Sequence, residues 1–351
     1  MEKEYRKGRG SQIKTENPFL AQQYVTEHIE GLDEELIPES LQTQIFYETP
    51  NKVVNKVDSP DVGMEYSLNP YQGCEHGCVY CYARTTHEYW GFNAGLDFES
   101  KIVVKRNAPV LLEQHLLKPS WKPAPIVLSG NTDCYQPLER KLKITRGLLE
   151  VFAKYRHPVA IISKNTLMLR DLDILQDLAR DHLVMVILSI STLNEKLRSV
   201  MEPRTASAIK KLKAIEKMSA AGIPVMVMNA PVIPGLTHHE MPEVIKRAAE
   251  HGALSAGYTM VRLNGLIARV FEDWLKKNFP DRFNKVWHQV QEAHGGQVND
   301  SVFGRRMRGE GSIAEIINQL FHQSRNRYMG ETQMPPLDTT KFRRRGNYQL
   351  F

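Results

Sequence analysis

The sequence predicts an α/β fold, an incomplete (β/α)6 TIM-type barrel with an N-terminal extension and C-terminal helices. Three observations carry that prediction. Short apolar runs at 66–69, 126–129, 159–163, 184–191, 225–229 and 258–263 read as strands. Between them lie stretches whose apolar residues recur at helical spacing. Strict alternation of the two makes successive strands parallel through right-handed crossovers, and six strands curl toward a barrel without closing it.

In chain order, residues 1–59 mix polar, charged and apolar residues without sustained periodicity, which predicts an extension wrapped on the barrel of 60–264. Leu148, Val151, Phe152 and Tyr155 fall at i, i+3, i+4 and i+7, and Leu172, Leu175, Leu178 and Ala179 form a second helical stripe. Leu212, Ile215 and Met218, then Val244, Ile245, Ala248 and Ala249, mark two more. Thr205 or Ser207 reads as the N-cap of the third helix, Gly222 as its stop, and Pro224 opens the next strand. Residues 265–329 are wholly helical in pattern, with Phe283, Val286, Trp287 and Val290 on one face and a last apolar helix over 313–321; they are expected to cap the open side. Residues 330–351 are polar, proline-bearing and basic, and are expected to form a mobile tail.

The 351 residues, 42% apolar and 25% charged, can bury a substantial core. The longest apolar run, 183–190, is far short of a membrane span, and the N-terminus lacks an apolar signal core, so the expected location is the cytoplasm. Four cysteines, three of them inside residues 74–81, argue for thiolate ligation in a reducing compartment rather than a disulfide framework. The net charge of +6 is concentrated in Arg6, Lys7 and Arg9, in Arg305, Arg306 and Arg308, and in Lys341 and 343–345. Such clusters either hold phosphate backbones by counterion release or are solvated ends.

Cys74, Cys78 and Cys81 form a C-x3-C-x2-C motif directly after the first predicted strand. Gly73 and Gly77 let the loop fold back so that three sulfurs converge. A ferredoxin-type run would supply a fourth cysteine nearby, and a structural zinc site would be closed by four ligands. Three thiolates on a [4Fe-4S] cluster leave one iron free for the amine and carboxylate of a chelating substrate. His76 is the one alternative fourth ligand for zinc, and its place between two of the cysteines would strain that geometry.

With Tyr80 before the third cysteine, the motif resembles the signature of the radical S-adenosylmethionine (SAM) superfamily. Within it, 60–265 is most similar to the branch related to spore photoproduct lyase, the DNA repair photolyase-like proteins. The resemblance implies an enzyme in which a reduced cluster on Cys74, Cys78 and Cys81 cleaves S-adenosyl-L-methionine to methionine and a 5'-deoxyadenosyl radical. It further implies a reductase, flavodoxin- or ferredoxin-type electron donor.

By the same resemblance, Tyr80 belongs to the cofactor site, and Asn131, Thr132 and Asp133 bind the methionine amino group, against the plain reading of a polar turn capping the next helix. Lys164 resembles a lysine that pairs with the methionine carboxylate, against the plain reading of a loop lysine. Ser189 and Ser191 are candidates for the ribose, 229–235 for the adenine loop, and Arg204 for an anion. The lyase keeps a hydrogen-donating cysteine two residues before its Ser-Asp pair, where this chain has Gly130. Cys134 lies beyond that place and is either a hydrogen donor or a packing thiol.

Nucleic acid is therefore one candidate substrate, and the competing class is a nucleic-acid-binding protein with a structural Fe-S or zinc site.

Overall fold

The structure is a computed structural model that describes residues 6–19 and 42–345. Its strands are β1 (Gln44–Tyr47), β2 (Val54–Lys56), β3 (Tyr66–Leu68), β4 (Tyr71–Gln72), β5 (Lys101–Val104), β6 (Ile126–Leu128), β7 (Val159–Ser163), β8 (Val184–Ser189), β9 (Val225–Val232) and β10 (Ser255–Met260). Its helices are α1 (Leu96–Ser100), α2 (Ala108–Leu117), α3 (Glu139–Leu142), α4 (Ile144–Tyr155), α5 (Leu172–Arg180), α6 (Glu195–Met201), α7 (Ala208–Ala220), α8 (Met241–Glu250), α9 (Ile267–Asn278), α10 (Phe283–Ala293) and α11 (Gly311–Met329).

The main sheet runs β10-β9-β8-β7-β6-β3-β2. Its six strands from β10 to β3 are mutually parallel, and β2 pairs antiparallel to β3. Among the described residues, β10 and β2 are the unjoined ends of this order, so the barrel is incomplete, as the sequence predicts.

All six predicted strands form, the one at 159–163 with the expected ends and the other five with shifted ones. The last is Ser255–Met260 rather than 258–263, because Val261 and Leu263 turn into a second apolar cluster with Phe271 and Trp274. The run 184–191 stops at Ser189, and 225–229 extends to Val232. The sequence reading missed β2 and a separate sheet ordered β1-β5-β4, since strands of two to four residues show no measurable period.

The helices bury the faces their periodicity marks. Leu148, Leu149, Phe152 and Tyr155 of α4 are buried, each fully buried apolar side chain being worth about 1.5–3 kcal/mol. Ser207 caps α7 by accepting from the Lys210 amide, and Asn194 caps α6 by accepting from Leu197. Helix α11 sets Ile313, Ile317 and Phe321 into the main core with Tyr258 of β10. Ile267, Phe271 and Trp274 of α9 join Cys78, Val79, Leu197 and Met201, so this helix supports the cysteine loop from behind.

Of the expected tail, residues 330–345 are described and several pack on the body, while 346–351 lie outside the described residues. The Asp338 amide donates to the His182 carbonyl at 2.9 Å, the Arg343 amide to Tyr155 at 2.9 Å, and the Phe342 ring meets His157 edge-on. The Arg344 guanidinium caps the carbonyls of Lys118 and Trp121. Other basic residues are likewise committed inside the fold: Arg305 pairs with Asp300 and Glu310, and Arg308 stacks on Tyr258 at 4.1 Å. Of Lys7 and Arg345, the structure shows only exposure.

Candidate functional site

The cysteine loop lies beyond β3 and β4, at the C-terminal mouth of the parallel strands. Gly73 and Gly77 sit at φ +82° and +67°, a region glycine enters without steric cost, and a Cβ on Gly73 would stand 2.9 Å from the Lys101 carbonyl oxygen. Arg84, fully buried, holds the loop from inside. Its guanidinium donates to the Cys78 carbonyl at 2.8 and 2.9 Å, to the carbonyls of Ala94 and Gly95, and to Glu99 at 2.5 Å. The Glu99 carboxylate also accepts from the amides of Gly10 and Ser11, so this buried ion pair has its donors and acceptors matched.

Cys74, Cys78 and Cys81 are free thiols, and all three line one cavity of about 450 Å³. Burial pushes each thiol up, so thiolates form there only if a cationic group shares the site. Three free thiols with open volume beside them are the donor set a three-cysteine cluster requires, and the residues present fit it.

Tyr80 and Lys164 line the same cavity and meet at a buried carboxylate. The Tyr80 hydroxyl donates to Glu202, as does Ser191 at 2.5 Å, and Lys164 Nζ lies 3.1 Å from it. Lys164 Nζ also donates to Ser191 Oγ at 2.9 Å and to the Ala230 carbonyl at 2.7 Å, and Lys211 Nζ stands 3.6 Å from the far oxygen of Glu202. Burial pulls the Lys164 ammonium down to about 8 and pushes the Glu202 carboxyl up. Glu202 opens the Glu-Pro-Arg-Thr segment before α7, but no role for it or for Lys211 was legible in the sequence.

Asn131, Thr132 and Asp133 follow β6 and line the cavity, and each also braces the loop. Asp133 accepts from Ser163 Oγ, Lys164 N and Tyr135 N, each at 2.8 Å, and faces His76 Nδ1 at 3.3 Å. Burial pushes its carboxyl up, but His76 and these donors outweigh it and hold it below its ordinary value. Thr132 Oγ1 donates to the Tyr71 carbonyl at 2.5 Å, and Asn131 Nδ2 reaches Gln72 and Thr86 at 3.2 Å.

Ser189 lines the cavity, whereas Ser191 lies in the Glu202 network. Arg204 pairs with Glu75 at 3.5 Å, and Ala230 and Pro231 bring the 229–235 loop to the cavity wall. Cys134 is not brought in. It is fully buried in the main core, and its carbonyl accepts from Thr145. Ser129, at φ +71°, turns the chain so that Gly130 rather than Cys134 reaches the cavity. The Tyr82 hydroxyl donates to the Gly130 carbonyl at 2.7 Å.

The opposite wall was unforeseen. Met64, Met228, Met260 and Met307 line it, with Arg262 and Arg306. Loops from the two unjoined sheet edges meet there: Asp61, following β2, accepts from the Gly304 amide and the Arg306 guanidinium, and Arg306 also reaches Ser59. The Met260 amide donates to the Met307 carbonyl at 3.0 Å, tying the later loop to β10.

An open parallel barrel with three cysteines at its mouth defines a class of cluster-dependent radical enzymes. Residues 68–248 match the family model of the radical SAM superfamily, and the chain belongs to that superfamily as a radical SAM enzyme. It is 34% identical over 233 residues to an uncharacterised protein of Mycobacterium tuberculosis, covering 66% of this chain and 68% of that one. With a protein of Methanocaldococcus jannaschii it shares 29% over 235 residues, 67% of this chain and 83% of the relative. Among solved structures it is similar to spore photoproduct lyase complexed with dinucleoside spore photoproduct, at TM-score 0.58 and 15% identity over 82% of this chain and 80% of the lyase. A variant of that lyase with bound AdoMet and the same photoproduct matches at TM-score 0.58 and 16% identity, over 82% of this chain and 79% of that one. At such identity the likeness is one of fold. Membership of the superfamily implies a [4Fe-4S] cluster, S-adenosylmethionine and an electron donor.

Proposed function

We propose that Cys74, Cys78 and Cys81 hold the [4Fe-4S] cluster and that the cavity beside them seats S-adenosylmethionine. The observation that carries this reading is the convergence of the three free thiols on one cavity wall at the mouth of the open barrel. With both groups bound, the reduced cluster supplies the electron that cleaves S-adenosylmethionine to methionine and a 5'-deoxyadenosyl radical.

The chain's own residues supply binding and orientation. Asn131, Lys164 and Ser189 are the polar side chains of the cavity placed to hold the amino acid and ribose portions. Thr132 and Asp133 act by fixing the loop against the ends of β6 and β7. Glu202 and Ser191 orient Lys164 and Tyr80. Cys134, buried in the core, is given no part in hydrogen transfer. Three free thiols near one cavity favour a reducing, cytoplasmic setting, and membership of the superfamily supports an electron donor, which we take to be of flavodoxin or ferredoxin type. No helix among the described residues is long and apolar enough to cross a membrane.

The test is anaerobic reconstitution with iron and sulfide, then dithionite and S-adenosylmethionine, reading iron per chain and 5'-deoxyadenosine. Joint replacement of Cys74, Cys78 and Cys81 by alanine is expected to abolish both. Unchanged deoxyadenosine release in that variant, or one zinc per chain with no iron uptake, would reject the reading.

A further inference from the structure

We infer that the cavity takes a substrate carrying an oxyanion, phosphate or carboxylate, on a flat or apolar body, with Arg262 holding the charge. This inference rests on reading the cavity as the reaction chamber.

Arg262 lies two residues beyond β10 and lines the chamber on the side of the barrel gap. Among the described residues it makes no hydrogen bond and no ion pair. Its guanidinium carbon lies 5.9 Å from the centre of the Tyr82 ring. Burial and the neighbouring Arg306 hold its pKa below the ordinary value.

The nearby carboxylates are already used. Asp61 is taken by Arg306 and the Gly304 amide, and Asp300 by Arg305 and the Val302 amide. Asp133 is occupied by Ser163, Lys164 and Tyr135, while Glu202 serves Lys164 and Lys211. A half-buried guanidinium with five donors thus faces the chamber without an acceptor from the described chain, and a planar oxyanion supplies one bidentately.

Beside it, Met64, Met228, Met260 and Met307 form an adaptable apolar wall, and the half-exposed Tyr82 offers a ring face. The two features together select an anion on an apolar body.

The experiment titrates phenyl phosphate, benzoate and uncharged benzyl alcohol by ligand-observed NMR. It uses the cluster-loaded enzyme with S-adenosylmethionine and, in parallel, the protein before loading. At least one of the anions is expected to bind saturably and about tenfold tighter than benzyl alcohol. Arg262→Gln should remove that preference and Arg262→Lys retain part of it, and the preferred anion tells phosphate from carboxylate.

Equal binding of all three, no saturable binding of either anion, or an unchanged preference in Arg262→Gln overturns the inference. So does loss of S-adenosylmethionine affinity in Arg262→Gln with the anion preference intact, which would assign the arginine to the cofactor. If no cluster loads yet the preference still depends on Arg262, the radical reading fails while the anion site stands.

Discussion

Gly10 lies directly on Gly77: a Cβ at residue 10 would stand 1.7 Å from the Gly77 carbonyl oxygen. Gly77 is itself in the left-handed region, and a Cβ there would come within 2.8 Å of Glu99. The N-terminal segment and the cysteine loop therefore share one close-packed backbone contact, sealed by the Glu99 carboxylate that takes the amides of residues 10 and 11.

Gly10→Ala should accordingly displace the loop, because the atom it strikes is backbone and cannot rotate away. Overpacking of this kind costs about 1–3 kcal/mol. The measurable outcome is less iron retained per chain after reconstitution and desalting. Gly63→Ala, where nothing lies within 4 Å, is the comparison expected to retain it all.

Glu202→Gln keeps the shape of the side chain and removes the charge that faces Lys164 and Lys211. Leaving buried ammonium groups without their carboxylate costs about 3–5 kcal/mol. Urea unfolding should show the loss, and adding Lys211→Met should recover part of it, since the two positions are coupled. Losses that simply add, with Lys211→Met alone measured beside the other two variants, would mean that the pair contributes nothing.

His157 makes the fold acid-sensitive. Its Nε2 accepts from the Trp121 indole at 3.2 Å, and Nδ1 lies 3.0 Å from the Pro158 carbonyl, an arrangement that needs the neutral ring. Burial pushes its pKa from 6.5 down to about 4. The unfolded chain therefore binds a proton that the fold refuses, and stability falls as pH drops from about 6.5 to about 4 while staying flat above that window. The loss at the lower end is roughly 3 kcal/mol from this ring. His87, also pushed down to about 4 by burial, acts in the same direction. Tm measured against pH should fall less steeply in His157→Asn than in the parent.

Asp61 and Arg306 bridge the loop after β2 to the loop that Met307 ties to β10. Asp61→Asn should raise amide hydrogen exchange in 57–64 and 298–309 without changing it in β7 and β8, which lie in the middle of the sheet. Uniform exchange in both proteins would show that the bridge does not close the chamber.

What the sequence determined by itself was local. The spacing of Cys74, Cys78 and Cys81, the flanking glycines and the six apolar runs each rest on neighbours a few residues apart, and a 2- or 3.6-residue period is visible over such distances. Lys164, Asn131 and Ser189 were legible because a strand end has a known address at the barrel mouth. The tertiary structure alone decided which groups meet. Gly10 against Gly77, Lys164 against Glu202 and Asp61 against Arg306 join segments with no shared periodicity, and the packing of the open barrel and its loops sets those distances. It also decided the place of Cys134: the chain turns left-handed at Ser129, and that thiol lies in the core rather than on the cavity wall. The chamber's chemistry is long-range for the same reason: each strand, or the loop after it, contributes a few side chains, and only their parallel stacking brings them to one place.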